Sequence, residues 1–322
     1  MVNTLSVVIP VYRNEGSIPT LVAALSDVAR QARQDFGCAV KVVFVVDGSP
    51  DNSYAILAQA LPAAPFASQL LLHSRNFGSF AAIRTGLQAA TGQYFGVIAA
   101  DLQEPPELVL QFLKKLAAGD CDVVVGCREN RADPLMTRLT SDLFWKLYKK
   151  FIVHDIPEKG VDVFGCNRTF RDHLLSLEEA NSSLVGLIFW LGFRRAEVSY
   201  ERRLRQHGKS AWTLKKKINY LLDSVFSFTD LPVRLLTAFG VLGIIASAML
   251  GASIILAKIF GDIAVPGYAA TVLTVIFFGA LNSLGIGIIG AYAWRAYENT
   301  KGRPLSVVML EQKFDGMSGN NK

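Results

Sequence analysis

Cysteine, histidine and sustained runs of one charge are scarce in this chain, and each scarcity removes a class of protein. The four cysteines, Cys38, Cys121, Cys127 and Cys166, lack the paired spacing of a zinc site. They read as reduced, buried thiols of a cytosolic domain. The four histidines form no cluster. A basic stretch followed by a signal-type apolar run and cleavage site is missing: Leu5–Val11 is short and leads straight into a turn, so it reads as a first strand. No internal repeat is visible, and the charge surplus is small, 33 Lys and Arg against 27 Asp and Glu.

Apolar residues, by contrast, make up 51% of the chain, and the excess lies in the last third. Leu235–Ala257 and Gly267–Trp294 carry no charged residue. Each is long enough to cross a bilayer, and neither shows the polar face of a soluble helix. Arg202, Arg203, Arg205, Lys209, Lys215, Lys216, Lys217 and Arg234 precede the first span; Arg295, Lys301 and Arg303 follow the second. The loop between them has Lys258 balanced by Asp262. Positive-inside counting therefore places both ends in the cytoplasm and a short hairpin outside. Small residues at Ser247/Gly251 and Gly287/Ala291 permit close helix packing. Between Trp212 and Leu231, Trp, Phe and Leu mix with Lys216, Lys217 and Asp223, the character of an interfacial helix; an ordinary docking helix reads almost as well.

The first two thirds alternate strand-like and helix-like segments. Leu5–Val11, Val40–Val46, Leu70–His73, Tyr94–Ala100 and Asp122–Gly126 are short apolar runs, as buried parallel strands are. Ser17–Phe36, Ser79–Ala90 and the stretch from Pro105 to Ala118 have helical character, with Pro allowed in the first turn. Leu135–Phe151 reads as a further amphipathic helix. Such alternation predicts a mostly parallel α/β sheet with helices on both faces. The expected organisation is a catalytic domain over 1–211, a juxtamembrane amphipathic region over 212–233, two transmembrane helices over 234–295 and a cytoplasmic tail over 296–322, polar and disordered after Leu310.

Polar residues gather at the predicted strand ends: Tyr12, Asn14 and Glu15 after the first, Asp47, Gly48 and Ser49 after the second, Asp101 and Gln103 after the fourth. In a parallel sheet these ends share one edge and can line one pocket. Turn chemistry alone accounts for Gly48, Ser49 and Asn52, but not for several acidic residues converging there.

An ordered set of motifs covers nearly the whole chain: VVIPVYRNE (Val7–Glu15), VVDGSPDNS (Val45–Ser53), SRNFGSFAAIRTGLQAATG (Ser74–Gly92), ADLQEPPEL (Ala100–Leu108), RQHGKSAW (Arg205–Trp212) and the paired apolar spans. With these the chain resembles glycosyltransferase family 2, of GT-A (Rossmann-like) fold, and within it the polyprenyl-phosphate glycosyltransferases. The resemblance implies an inverting hexosyltransferase of the bacterial plasma membrane. It would take a nucleotide sugar (UDP-glucose by association) and a polyprenyl phosphate on the cytoplasmic face, for cell-surface polysaccharide such as lipopolysaccharide. The partners are these two substrates and the membrane, with no nucleic acid, and related bacterial enzymes imply a homo-oligomer. Pro10, Tyr12, Glu15, Asp47, Gly48 and Ser49 match donor-binding positions, Asp47 that of the aspartate reading the base. Asp101 and Gln103 match positions that coordinate Mg²⁺ or Mn²⁺ on the donor pyrophosphate, and their hard oxygens suit such a cation. Asp162 matches an aspartate near the reaction centre, although Phe164 stands where close relatives have a basic residue. Arg128, Arg131, Arg138, Arg205 and Lys209 are the candidates for the lipid phosphate.

One departure is clear. The family's Asp-Ala-Asp is Ala99-Ala100-Asp101 here, so the first carboxylate is absent. Weaker metal binding follows, and a second reading stays open: a membrane-tethered nucleotide-sugar-binding scaffold that has lost catalysis. A processive polysaccharide synthase would carry a Gln-x-x-Arg-Trp motif, which the sequence lacks.

Overall fold

A computed structural model describes residues 3–128, 163–179, 182–203, 214–260 and 267–316, with 149, 157 and 161 as isolated positions. The expected helix over Leu135–Phe151 thus lies almost wholly outside the described residues. Two units emerge. The first combines the chain up to Lys217 with Pro304–Lys322; the second is Ile218–Arg303.

The first unit is built on an eight-stranded sheet: β1 (Thr4–Val11), β2 (Ala39–Val46), β3 (Ala67–His73), β4 (Tyr94–Val97), β5 (Val123–Arg128), β6 (Val163–Asn167), β7 (Arg195–Tyr200) and β8 (Val308–Phe314). Their order is β7-β5-β6-β4-β1-β2-β3-β8. The helices are α1 (Ile18–Phe36), α2 (Ser53–Ala60), α3 (Ser79–Ala89), α4 (Leu108–Ala117), α5 (Arg168–Ser176) and α6 (Leu184–Trp190). The five strands and three helices read from apolar periodicity are all present, with ends shifted by a few residues.

Alternation along the strands divides the core into two faces. Leu5, Val7, Ile9 and Val11 of β1 and Val40, Val42, Phe44 and Val46 of β2 pack in one cluster with α1, α2 and α4. Helix α1 contributes Ile18, Leu21, Leu25, Val28 and Ala32, the three-and-four spacing of a single buried stripe. Val8 and Val45 point the other way, against α3 at Gly86.

The sheet is less parallel than its alternation suggests. β1–β2, β1–β4, β2–β3 and β5–β7 are parallel, but β6 runs antiparallel between β4 and β5. β8 is antiparallel to β3 at the edge. The polar tail is therefore ordered over Leu310–Phe314, correcting the expectation of disorder there. Its backbone groups complete the ladder of β3, and Glu311 accepts a 2.8 Å hydrogen bond from Gln69 Nε2.

All four cysteines are free and buried, and complete burial pushes the Cys166 thiol far above its usual value. The thiolate is the reactive form. Cys166 is therefore expected to escape maleimide in the native protein and to react once it is denatured; mass spectrometry of labelled peptides checks this, and native labelling would contradict its burial.

Helix α7 (Leu214–Phe228), part of the second unit from Ile218 onward, is followed by α8 (Leu231–Phe260) and α9 (Tyr268–Thr300). Leu231–Ser253 and Thr274–Thr300 are long and apolar enough to cross a membrane. Their large side chains, Phe239, Ile244, Met249, Ile276 and Ile286 among them, lie exposed, as lipid-facing residues are.

Candidate active site

The chain goes from β1 outward through β2 and β3, then returns to place β4 on the other side of β1. That reversal is a topological switch point, and the crevice beyond the carboxyl ends of such strands is where open α/β sheets bind ligands. Sequence and topology cooperate in opening it. β4 pairs with β1 only from Leu5 to Val8, and Pro10, lacking an N–H, lies past that pairing while still registered with Val45 of β2. Tyr12, Asn14 and Glu15 thus leave β1 beside the turn that carries Asp101 and Gln103 out of β4.

The loops after β1 and β2 are zipped together by side chains. The Arg13 N–H donates to Ser49 Oγ at 2.8 Å, Asn14 N–H to Ser53 Oγ at 3.2 Å, Glu15 N–H to Asp51 Oδ2 at 3.1 Å, and Asn52 N–H back to Glu15 Oε2 at 3.0 Å. Ser49 Oγ also donates to Asp51 Oδ1 at 2.6 Å. Burial raises the Asp51 pKa, but these hydrogen bonds from Ser49, Ser53 and the Glu15 and Ser53 backbone outweigh it, and the carboxyl ends below its usual range. A folded pKa so lowered stabilises the fold above the unfolded value; that contribution is lost as pH falls through the lowered one.

Backbone strain concentrates here. Arg13 (φ 56°) and Leu102 (φ 58°) are the positive-φ non-glycine residues among those described, and each lies in a loop of this crevice. A leucine in that region is uncommon and persists where its surroundings dictate it. Leu102 sits between Asp101 and Gln103, with the Gln103 N–H donating to Asp101 Oδ1 at 3.2 Å.

Asp47 lies buried just past the end of β2. It is 2% exposed. Its Oδ1 accepts from the Phe77 N–H and meets His73 Nδ1, both at 2.8 Å, and its Oδ2 accepts from the Gly78 N–H at 2.8 Å. A carboxylate held on both oxygens in this way is fixed against the Phe77–Gly78 backbone. Gly48 and Ser49 remain part-exposed at the rim.

Gln103 is also engaged. Arg202 Nη2 donates to its Oε1 at 2.5 Å, Arg202 Nε lies 3.7 Å from Glu104 Oε1, and the Arg203 N–H donates to the Gln103 carbonyl at 2.8 Å. The segment after β7 is thereby fastened to the Asp101 turn. In sequence Arg202 is one of a basic cluster; its guanidinium beside Gln103 and Glu104 is a feature the sequence does not single out.

No group of three or more His, Cys, Asp or Glu that could hold a metal occurs among the described residues. The Asp101 carboxylate and the Gln103 carbonyl are nevertheless hard oxygen donors two residues apart, a set that fits Mg²⁺ or Mn²⁺ when phosphate oxygens and water complete the shell. Such a cation would share the Gln103 oxygen with Arg202 or displace it.

Of the acceptor candidates, Arg128 ends β5, opposite Tyr200 of β7. Arg131, Arg138, Arg205, Lys209 and the reaction-centre candidate Asp162 lie outside the described residues. Phe164 is buried in β6 between Val97 and Val125, a core position that no acceptor ligand could occupy.

Residues 6–176 match the family described as Glycosyl transferase family 2. The chain belongs to glycosyltransferase family 2. Relatives of this family-2 transferase match along nearly its full length. YkcC of Bacillus subtilis, a glycosyltransferase, is 31% identical over 94% of this chain and 92% of its own. A prophage bactoprenol glucosyl transferase homolog of Escherichia coli is 30% identical over 96% and 99%, and a bactoprenol glucosyl transferase of Shigella phage SfX 31% over 94% and 98%. Among solved structures, glucosyl-3-phosphoglycerate synthase of Mycobacterium tuberculosis is similar at a TM-score of 0.43 and 18% identity, over 69% of this chain and 80% of its own. The fold of this family-2 transferase is GT-A-like α/β.

Proposed function

We propose that this transferase moves a sugar, with inversion, from a nucleotide sugar to a polyprenyl phosphate at the cytoplasmic face of a bacterial plasma membrane. The observation that carries the reading is the strained Asp101–Gln103 turn beside the β1 loop at the switch-point crevice. The bactoprenol relatives support the lipid acceptor, because their match extends through both apolar helices. Those helices would hold the catalytic unit where a lipid phosphate is presented.

In this reading, the zipped loops after β1 and β2, with Pro10, Tyr12, Glu15, Gly48 and Ser49, hold the nucleotide. Asp47 fixes the floor beneath them. Asp101 and Gln103 would hold Mg²⁺ or Mn²⁺ on the donor pyrophosphate, whose role is to neutralise charge on the departing nucleoside diphosphate. Arg202 orients Gln103 and adds a fixed positive charge on the same side. Arg128, with Arg131, Arg138, Arg205 and Lys209, would receive the acceptor phosphate. That phosphate is anionic near neutral pH, so its oxygen can attack the anomeric carbon without a strong base, and Asp162 would serve to orient it. Positioning and fixed charge would supply most of the rate. UDP-glucose is the proposed donor, and modification of cell-surface polysaccharide the proposed use.

The loss of a carboxylate at Ala99 favours the competing scaffold reading. One assay separates them: transfer from labelled UDP- and GDP-sugars to undecaprenyl phosphate in detergent, with Mn²⁺, Mg²⁺ or EDTA. Metal-dependent label in the lipid phase is expected. Folded protein that binds UDP yet transfers no sugar from any donor would establish the scaffold instead.

A further inference from the structure

The segment that follows α9 does more than extend the sheet. Ser306 Oγ lies 2.7 Å from Thr85 Oγ1, a bond spanning 221 residues of sequence. Thr85 Oγ1 lies 2.9 Å from His73 Nε2, and His73 Nδ1 lies 2.8 Å from Asp47 Oδ1. His73 is 1% exposed and Thr85 7%. In the tautomer with its proton on Nδ1, His73 donates to Asp47 and leaves Nε2 to accept from the Thr85 hydroxyl. Asp47 in turn grips the N–H groups of Phe77 and Gly78 and accepts from Asn76 Nδ2 through its own carbonyl at 3.2 Å. A continuous chain thus joins the tail to the loop that enters α3 on the floor of the crevice.

Local geometry holds the tail in place for this contact. The Ser74 N–H donates to the Val307 carbonyl at 3.0 Å. The β3–β8 register shifts between Leu72 and His73, the kind of irregularity that re-aims a side chain. Buried polar groups are costly unless each is satisfied, and linked groups act as one unit.

We infer that Ser306 is a positioning residue of the donor pocket, acting through Thr85, His73 and Asp47 on the Asn76–Gly78 loop. The inference rests on the donor-binding reading above. It makes the catalytic unit discontinuous in function as well as in fold: the hydroxyl that completes its polar floor is encoded after the second apolar helix.

The test uses the full chain in detergent and compares wild type with Ser306→Ala, Ser306→Thr, His73→Asn and the Ser306→Ala/His73→Asn pair. Asn can place a donor near the position of Nδ1 while dropping the arm to Thr85, so the two single changes cut the same chain at successive links, one on either side of Thr85. Ser306→Ala is expected to raise the donor KM by about 3–10-fold, the scale of one buried hydrogen bond. The acceptor KM and kcat should stay within about twofold of wild type on the same scale, Ser306→Thr should recover the donor KM, and the pair should be no worse than His73→Asn alone. UDP affinity by calorimetry should weaken in parallel. An unchanged donor KM and UDP affinity in Ser306→Ala would overturn the inference, as would additive losses in the pair or a lowered unfolding midpoint without a KM change. Wild type that binds UDP but transfers nothing sinks the transferase reading alone, and the UDP affinities still decide the role of Ser306. Wild type that neither binds UDP nor transfers sinks both.

Discussion

Replacing Asp101 with Asn is expected to lower kcat/KM for sugar transfer by about 10²–10³-fold, the cost of removing one fixed electrostatic contact to a charged transition state, with the unfolding midpoint unchanged. The fold should tolerate the change because Asn keeps an oxygen to accept the Gln103 N–H, now 3.2 Å from Asp101 Oδ1. The change removes the negative charge and turns the second acceptor oxygen into a donor. Ala99 stands two residues earlier, so no carboxylate there can take over. The converse change is informative. Ala99 is part-exposed, and Ala99→Asp would restore the second carboxylate, so half-activation should need less Mn²⁺ than in wild type. Titrating activity against metal for the two variants checks both effects. Full activity in Asp101→Asn would remove this turn from the chemistry. Equal Mn²⁺ requirements in wild type and Ala99→Asp would show that the empty carboxylate position is immaterial.

The edge at which the polar residues gather is legible in the sequence; how they divide between lining and support is not. Runs such as Leu5–Val11 announce buried strands because their apolar content is continuous, and polar residues after them are then forced to one edge. Strand direction leaves no such mark. β6, with all but its last residue buried, reads the same whether parallel or antiparallel, so its insertion between β4 and β5 was not legible. β8 was missed for the opposite reason: Glu311, Gln312 and Lys313 are exposed, and a strand held by edge pairing alone has no apolar period. Asp47 was legible as a carboxylate at a strand end, but not the direction of its side chain. That depends on His73, 26 residues away, one of four histidines that form no cluster in sequence. Arg202 shows the same limit, since its partner Gln103 is 99 residues distant.

The second large effect is expected at Gly48. Gly48→Ala should cost about 2–5 kcal/mol, combining roughly 1–2 kcal/mol for a left-handed alanine with about 1–3 kcal/mol for overpacking. Gly48 has φ +56°, and a Cβ there would lie 2.4 Å from the Arg75 carbonyl carbon and 2.5 Å from the Asn76 nitrogen. Both are backbone atoms, so no side chain can swing aside. The 75–78 segment would have to move, and with it the Asn76 amide and the two N–H groups that Asp47 holds. Gly37 supplies the control: its φ is +57°, yet nothing lies within 4 Å of its Cβ direction. Gly37→Ala should therefore carry only the left-handed penalty and keep full transfer activity. Thermal unfolding and transfer kinetics of the two variants separate conformational strain from steric displacement. A larger loss of stability and a selective rise in donor KM at Gly48 would assign the close approach of the two loops to the pocket floor. Equal losses at the two glycines would mean that the loops yield without harm, and the floor would then owe its shape to the hydrogen bonds of Asp47 alone.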